Sequence, residues 1–234
     1  MQGYFYGIGV GPGDPELLTV KAINTLKKID AVIAPKTEKK EGSVALSIVK
    51  PYLREDVEIV YQTFLMVRDF AESKMFFEDN KNEILKLLDS GKNVAFLTLG
   101  DPMFYSTYIY IFQLLKEEGI KIETIPGVPA FLAISSYIGR PLSFGNDILT
   151  VIPATASKEK ISDALKFSDT TVLMKVYKNF SEVVDLLKEE KMLDEAVLVS
   201  RQGLEGEKII SDLESHKGEK LNYLSTILTK KSAE

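Results

Sequence analysis

Apolar residues recur along this chain in two rhythms. Short runs of β-branched and aromatic residues, bounded by Gly, Pro or Asp, alternate with longer stretches in which apolar positions fall three and four apart. The first rhythm predicts strands over 4–10, 31–34, 57–61, 94–99 and 120–125, then over 149–152, 171–176, 196–200, 207–210 and 223–228. The second predicts helices over 43–52, 70–88, 105–118, 130–137, 158–167 and 180–188. A further helix follows the first strand. Asp14 stands as its N-cap, Pro15 as its first residue, and Leu17, Leu18, Ala22, Ile23 and Leu26 share one face. Pro35 is expected to end the second strand, and Gly91 to close the helix before the fourth. Regular alternation as far as residue 125 implies βαβ units and a mainly parallel sheet. Pro126, Gly127 and Pro129 interrupt the pattern, and strands cluster late in the chain. The reading is an α/β fold of two α/β domains: residues 1–125 around a mainly parallel sheet, and residues 126–234 around a mixed one.

The stretch FLTLGDPMFYS, residues 96–106, carries the most chemistry. It reads as a strand end, a loop and a helix start, and open α/β sheets bind ligands beyond the carboxyl ends of their strands. Gly100 lets a ligand approach the backbone, and the Asp101 carboxylate can accept hydrogen bonds or cap the following helix. The first loop, GIGVGPGDPELLT, has Gly7, Gly9, Gly11 and Gly13 at alternate positions, which predicts a backbone very close to some other group. A dinucleotide fingerprint needs Gly at its first, third and sixth positions. The sixth place is Pro12 counted from Gly7 and Asp14 counted from Gly9, and no acidic residue ends the second strand, so a nicotinamide dehydrogenase is disfavoured. The PGVPAF segment, 126–131, follows the fifth strand, and its small residues Gly127 and Ala130 would let a ligand lie against the chain. Three small-residue loops thereby converge on one crevice.

Composition narrows the function classes. The chain has 234 residues, 45% of them hydrophobic and 27% charged, an ordinary globular balance. Its net charge of −5 gives no support to nucleic-acid binding. With no cysteine there is no disulfide, no thiolate nucleophile and no cysteine metal site. No run approaches the length that spans a bilayer and the start lacks a basic leader, so a soluble cytoplasmic protein is expected. His216 is the only histidine and is expected at a solvated surface, which leaves no metal cluster and no Ser/His/Asp set. The tracts KTEKKEG (36–42) and LTKKSAE are expected to be solvated, and Lys36 to Gly42 to form a mobile loop.

Taken together, GVGPGDPELLT, LGDPMFYST and PGVPAF, in this order and spacing, resemble the tetrapyrrole methylases, class III methyltransferases that use S-adenosyl-L-methionine (SAM). Within that family the first loop, the GSVALSIV helix, the LGDPMFYST loop and the terminal YLSTILTKK are most similar to the carbon-20 methyltransferases of cobalamin biosynthesis, which act on precorrin-2 or cobalt-factor II. The resemblance implies two α/β domains with a cleft between them, a homodimer, and SAM folded against the loop after the fourth strand. Carried over by position, the cofactor contacts it implies are Pro12, Leu99, Gly100, Asp101, Phe104, Pro129 and Ala130, with Met174, Lys175 and the Gly203–Leu204–Glu205 loop in the second half. Uroporphyrinogen methylases carry an acidic residue and Arg at the end of the second strand. Here Ala34, Pro35 and Lys36 stand in that place, which argues against uroporphyrinogen as the substrate.

A sulfonium methyl is already activated, so the resemblance asks the protein for alignment rather than for a nucleophile. No catalytic residue is assigned. The cobalt form is the preferred acceptor. The alternatives are a same-fold methylase acting on another precorrin, a protein or ribosomal RNA, and a non-catalytic SAM or nucleotide sensor.

Overall fold

The computed structural model describes residues 1–36, 42–65 and 70–231, so the charged tract after Lys36 and the last three residues lie outside it. The described chain forms two compact units, Met1–Pro129 and Ala130–Glu234. Among the described residues no helix is long and apolar enough to cross a membrane.

The first unit is built on a five-stranded sheet of β1 (Phe5–Gly9), β2 (Ala31–Lys36), β3 (Glu58–Thr63), β4 (Val94–Thr98) and β5 (Ile122–Ile125). Their order is β3-β2-β4-β1-β5 and every pairing is parallel. Parallel sheets need helices on both faces, and the strand sequences supply apolar residues to both. Ile8, Val32, Ala95 and Leu97 pack with α1 (Val20–Leu26) and α2 (Val44–Val49) on one face. Phe5, Ile33, Val94 and Phe96 pack with α4 (Glu78–Asp89) and α5 (Tyr108–Glu117) on the other, behind the shorter α3 (Phe70–Phe76). The connection from β1 therefore leaves over one face and the connection from β4 over the opposite face. These two strands are neighbours, so the sheet's topological switch point lies between them.

Four local expectations are corrected. The helix foreseen from Pro15 is two pieces, a 3-10 turn at Pro15–Leu17 and α1. Thr19 separates them in an extended conformation and caps α1, its hydroxyl accepting from the Ala22 N–H at 3.1 Å. The helix foreseen over 70–88 breaks at Phe77, a fully buried ring with edge contacts to Phe64 and Tyr110. Burial of that ring decides the backbone against the local pattern. The helix foreseen from Tyr105 starts at Tyr108, because Tyr105 has φ 47. Finally, β2 continues through Pro35 to Lys36. It pairs with β3 along its whole length but with β4 only from Ala31 to Ile33, so Pro35 stands where one side of the strand has no ladder to break.

The second unit holds α6 (Ala130–Tyr137), β6 (Leu149–Pro153), α7 (Lys158–Phe167), β7 (Thr170–Met174), α8 (Phe180–Glu189), β8 (Val197–Ser200), β9 (Lys208–Ile210) and β10 (Ser225–Lys230). Its sheet order is β6-β7-β10-β8-β9, with β6 and β7 parallel and the other pairs antiparallel. One core of Leu173, Leu198 and Ile227 against Ile161, Leu165, Val184 and Leu187 holds α7 and α8 to the sheet.

Tyr108 ties the first unit's core to its chemistry. It is fully buried and shares a 2.6 Å hydrogen bond with Thr124. Burial pushes its phenol up to about 12. A group whose folded pKa is raised contributes stability below its unfolded value and loses it as pH climbs through the folded one. Stability should therefore fall between pH ~10 and ~12. The Tyr108→Phe variant should lose on the order of 2–3 kcal/mol less over that window. Denaturant titrations across alkaline pH check this; an unchanged slope would show that Tyr108 does not carry it.

Candidate functional site

Parallel pairing puts the C-terminal ends of β4, β1 and β5 side by side, and each runs into one of the three small-residue loops. The loops are joined by backbone. The Val10 N–H donates to the Thr98 carbonyl at 2.9 Å, and Gly11 and Gly100 form an isolated antiparallel bridge, with the Gly100 N–H donating to Gly11 at 2.8 Å. Pro12, Leu99, Gly100, Asp101, Phe104 and Pro129 are thus gathered on one sheet edge, and Ala130 follows as the first residue of α6.

What Gly7, Gly9 and Gly127 approach is the protein itself. A Cβ on Gly7 would lie 2.1 Å from the Tyr108 ring, so Gly7 makes room for a core tyrosine. A Cβ on Gly9 would lie 2.4 Å from the Gly127 nitrogen, and one on Gly127 would lie 2.2 Å from the Gly100 carbonyl oxygen. Gly127 therefore serves a contact between loops rather than room for a ligand. Gly100 differs: its φ of 74 requires glycine, and a Cβ there would meet nothing closer than Pro129 Cα at 3.9 Å. A side chain there would make only ordinary contacts, so it is the left-handed backbone at the switch point, not crowding, that calls for glycine.

Asp101 braces the edge. One carboxylate oxygen accepts from the Met103 N–H at 2.8 Å, and the other accepts from the Gly127 N–H at 3.0 Å. The side chain shapes its own loop and ties it to the loop after β5. Each oxygen retains a lone pair for a further donor. Phe104 stacks at a tilt on Tyr105, ring centroids 4.6 Å apart. The Thr98 hydroxyl, at the end of β4, is buried without a hydrogen-bond partner. Sequence patterning missed it, since a Thr inside a strand reads as an ordinary β-former.

The remaining expected contacts lie along one edge of the second unit's sheet, at the C-terminal ends of β7 and β8, where antiparallel β10 begins. Met174 closes β7, and its carbonyl accepts from the Ala154 N–H at 2.7 Å. Lys175 follows with φ 59; it is half-buried, and burial pulls its ammonium below the usual lysine range. Leu204 and Glu205 sit in the loop after β8, with Leu204 partly buried and Glu205 exposed. That loop also contains Gln202, whose side-chain oxygen is buried without a donor. Of the non-glycine residues with positive φ, Tyr105, Lys175 and Arg201 stand in these candidate loops, where such strain is commonly held for function. His216 lies at the surface with 35% of its side chain exposed, its Nδ1 3.0 Å from a Glu219 oxygen. No group of His, Cys, Asp or Glu that could hold a metal occurs among the described residues.

Together these features define a class: a two-unit α/β protein whose parallel sheet brings three glycine-bearing loops, braced by a carboxylate, to its switch point, the place where open α/β sheets bind ligands. Residues 4–216 match the family described as Tetrapyrrole (Corrin/Porphyrin) Methylases, and the chain belongs to that family. It is 37% identical to the cobalt-precorrin-2 C(20)-methyltransferase of Salmonella typhimurium, over 100% of this chain and 99% of that protein. It is 32% identical to a precorrin-2 C(20)-methyltransferase of a Sinorhizobium species, over 85% of this chain and 84% of that one. A crystal structure of uroporphyrin-III C-methyltransferase from Thermus thermophilus, complexed with S-adenosyl homocysteine, shares the fold with a TM-score of 0.71 at 21% identity, covering 97% of each chain.

The contact between the three loops is open to a stability test. Asp101→Ala should cost about 1–3 kcal/mol, because it leaves the Gly127 N–H without its acceptor. Gly127→Ala should cost a similar ~1–3 kcal/mol, because its Cβ collides with backbone that has no side chain to rotate away. The double variant should cost clearly less than the sum, since both changes break one contact. Additive losses in denaturant unfolding would count against a shared brace.

Proposed function

We propose that the chain is a SAM-dependent C-methyltransferase that methylates carbon 20 of cobalt-factor II, or of precorrin-2, in cobalamin biosynthesis. Similarity to a carbon-20 enzyme over the full length of both chains carries this reading. The cobalt form is preferred because the relative named for it matches more of this chain, at higher identity, than the relative named for the metal-free form. A cytoplasmic homodimer goes with the family resemblance.

The crevice fits SAM at Gly100. There a left-handed glycine, with no Cβ, presents bare backbone to a ligand. When bound, SAM supplies an electrophilic methyl on a sulfonium. The chain's own task is to hold that methyl in line with an electron-rich carbon, which is catalysis by orientation. In this reading Leu99, Gly100, Pro129 and Ala130 offer backbone and small side chains to the cofactor, Pro12 and Phe104 enclose it, and Asp101 fixes the loops that carry them. Met174, Lys175, Leu204 and Glu205 are proposed as further cofactor contacts supplied by the second unit. The mechanism needs no protein nucleophile, in keeping with a chain that has no cysteine and a single histidine outside these loops.

Anaerobic incubation with SAM and either precorrin-2 or its cobalt complex, read by mass spectrometry, tests the reading. One added methyl on the cobalt complex is the expected result; methylation of the metal-free form alone would reverse the choice of acceptor. No methylation of either, with SAM still bound, would point to another acceptor or to a sensor. In calorimetry, Asp101→Ala should weaken binding of S-adenosyl homocysteine by about ten- to a hundredfold, the scale of one or two lost charge-assisted hydrogen bonds. Unchanged affinity would remove Asp101 from the cofactor site.

A further inference from the structure

The loop after β8 turns through three left-handed residues, of which two are glycines and one, Arg201, is not. Arg201 has φ 57, Gly203 φ 70 and Gly206 φ 78, and the left-handed region costs a non-glycine residue roughly 1–2 kcal/mol. Such a backbone persists only where neighbouring bonds fix it. Three of those bonds are internal: the Leu204 N–H donates to Arg201 at 2.9 Å, the Glu207 N–H to Leu204 at 3.1 Å, and Arg201 Nε to the Glu205 carbonyl at 2.6 Å. A fourth ties the loop to the start of β10, the Arg201 N–H donating to Leu224 at 2.8 Å.

The one side-chain carboxylate in this set is Glu207. Its Oε2 accepts from the Gly203 N–H at 2.7 Å, a short charge-assisted bond across the turn. The same carboxylate faces the Tyr137 hydroxyl at the end of α6 and pushes that phenol's pKa up. Glu207 thus bonds the loop from within and meets α6 outside it. Gln202, on the far side of the turn, keeps a buried oxygen without a donor.

We propose that Glu207 is a positioning residue: through the Gly203 N–H it holds Gly203–Glu205 in the shape that receives the cofactor. This rests on the reading of that segment as a SAM contact. Glu207 itself need not touch the cofactor, and neither the motifs nor the family resemblance singled it out.

Calorimetry of the full-length protein with S-adenosyl homocysteine, together with steady-state kinetics, tests the proposal. Glu207→Ala should raise the Kd about tenfold, within the range of one charged hydrogen bond. KM for SAM should rise in parallel, with kcat at saturating SAM and KM for the macrocycle little changed. Glu207→Gln keeps an oxygen that can accept from Gly203 and should restore most of the affinity. Glu207→Asp keeps the charge but falls a methylene short, and should bind as weakly as the alanine variant. Together the two variants separate reach from charge, and they keep the test available if the alanine variant folds poorly. The proposal is overturned if folded Glu207→Ala or Glu207→Asp binds with wild-type affinity, or if Glu207→Gln binds no better than they do. Asp101→Ala separates the two levels. If it weakens binding while the Glu207 variants do not, only the role of Glu207 fails; if the wild-type protein does not bind S-adenosyl homocysteine at all, the cofactor reading fails with it.

Discussion

The first unit's crevice depends on three backbone segments coming closer than any side chain would permit. Gly9 and Gly127 meet each other and the Gly100 carbonyl at separations where a Cβ on either would lie 2.2–2.8 Å from a neighbouring backbone atom. Those segments end three adjacent parallel strands, so their packing sets where the mouth of the crevice begins. Asp101 holds the arrangement by accepting from Gly127, and the Gly11–Gly100 bridge holds it from the other side. With the loops locked to one another, Gly100 is set apart as the glycine of the three that is kept by its positive φ and not by a backbone clash.

Behind the crevice the sheet is buried on both faces, and this fixes the strand ends firmly. Tyr108 shows how the core and the edge are joined. Its ring fills the slot left by Gly7, contacts Phe96 on β4, and its hydroxyl reaches Thr124 on β5. The strands that carry the three loops are thereby registered by one buried side chain as well as by their ladders. Pre-organisation of this kind is what an orientation catalyst needs, since a small displacement of a bound reactant is costly.

The strained residues lie at the other extreme. Tyr105, Lys175 and Arg201 adopt left-handed conformations in the loops proposed to receive the cofactor, and Thr98 and Gln202 leave buried polar atoms without partners there. Strained backbone and unsatisfied buried polar atoms are features that functional sites commonly carry, and these fall in or beside the loops proposed for the cofactor.

The alternation of apolar runs determined most elements and the division into a parallel and a mixed sheet, because strand and helix burial impose their own periods on the sequence. The three glycine-bearing loops were also legible, since turn residues at strand ends leave a local signature. What those glycines do was not. Gly7 and Gly127 read like ligand-facing positions, but only the packed structure shows that a tyrosine ring and a carbonyl oxygen occupy the space. The break at Phe77 and the extension of β2 through Pro35 were decided in the same way, by burial of a ring and by the partial length of a neighbouring strand. Glu207 and Thr98 carried no motif, and their roles depend on what stands opposite them. Local periodicity records which face of an element must be buried. Which atoms then meet across loops far apart in the chain is settled only by tertiary packing, because those contacts have no fixed spacing in sequence.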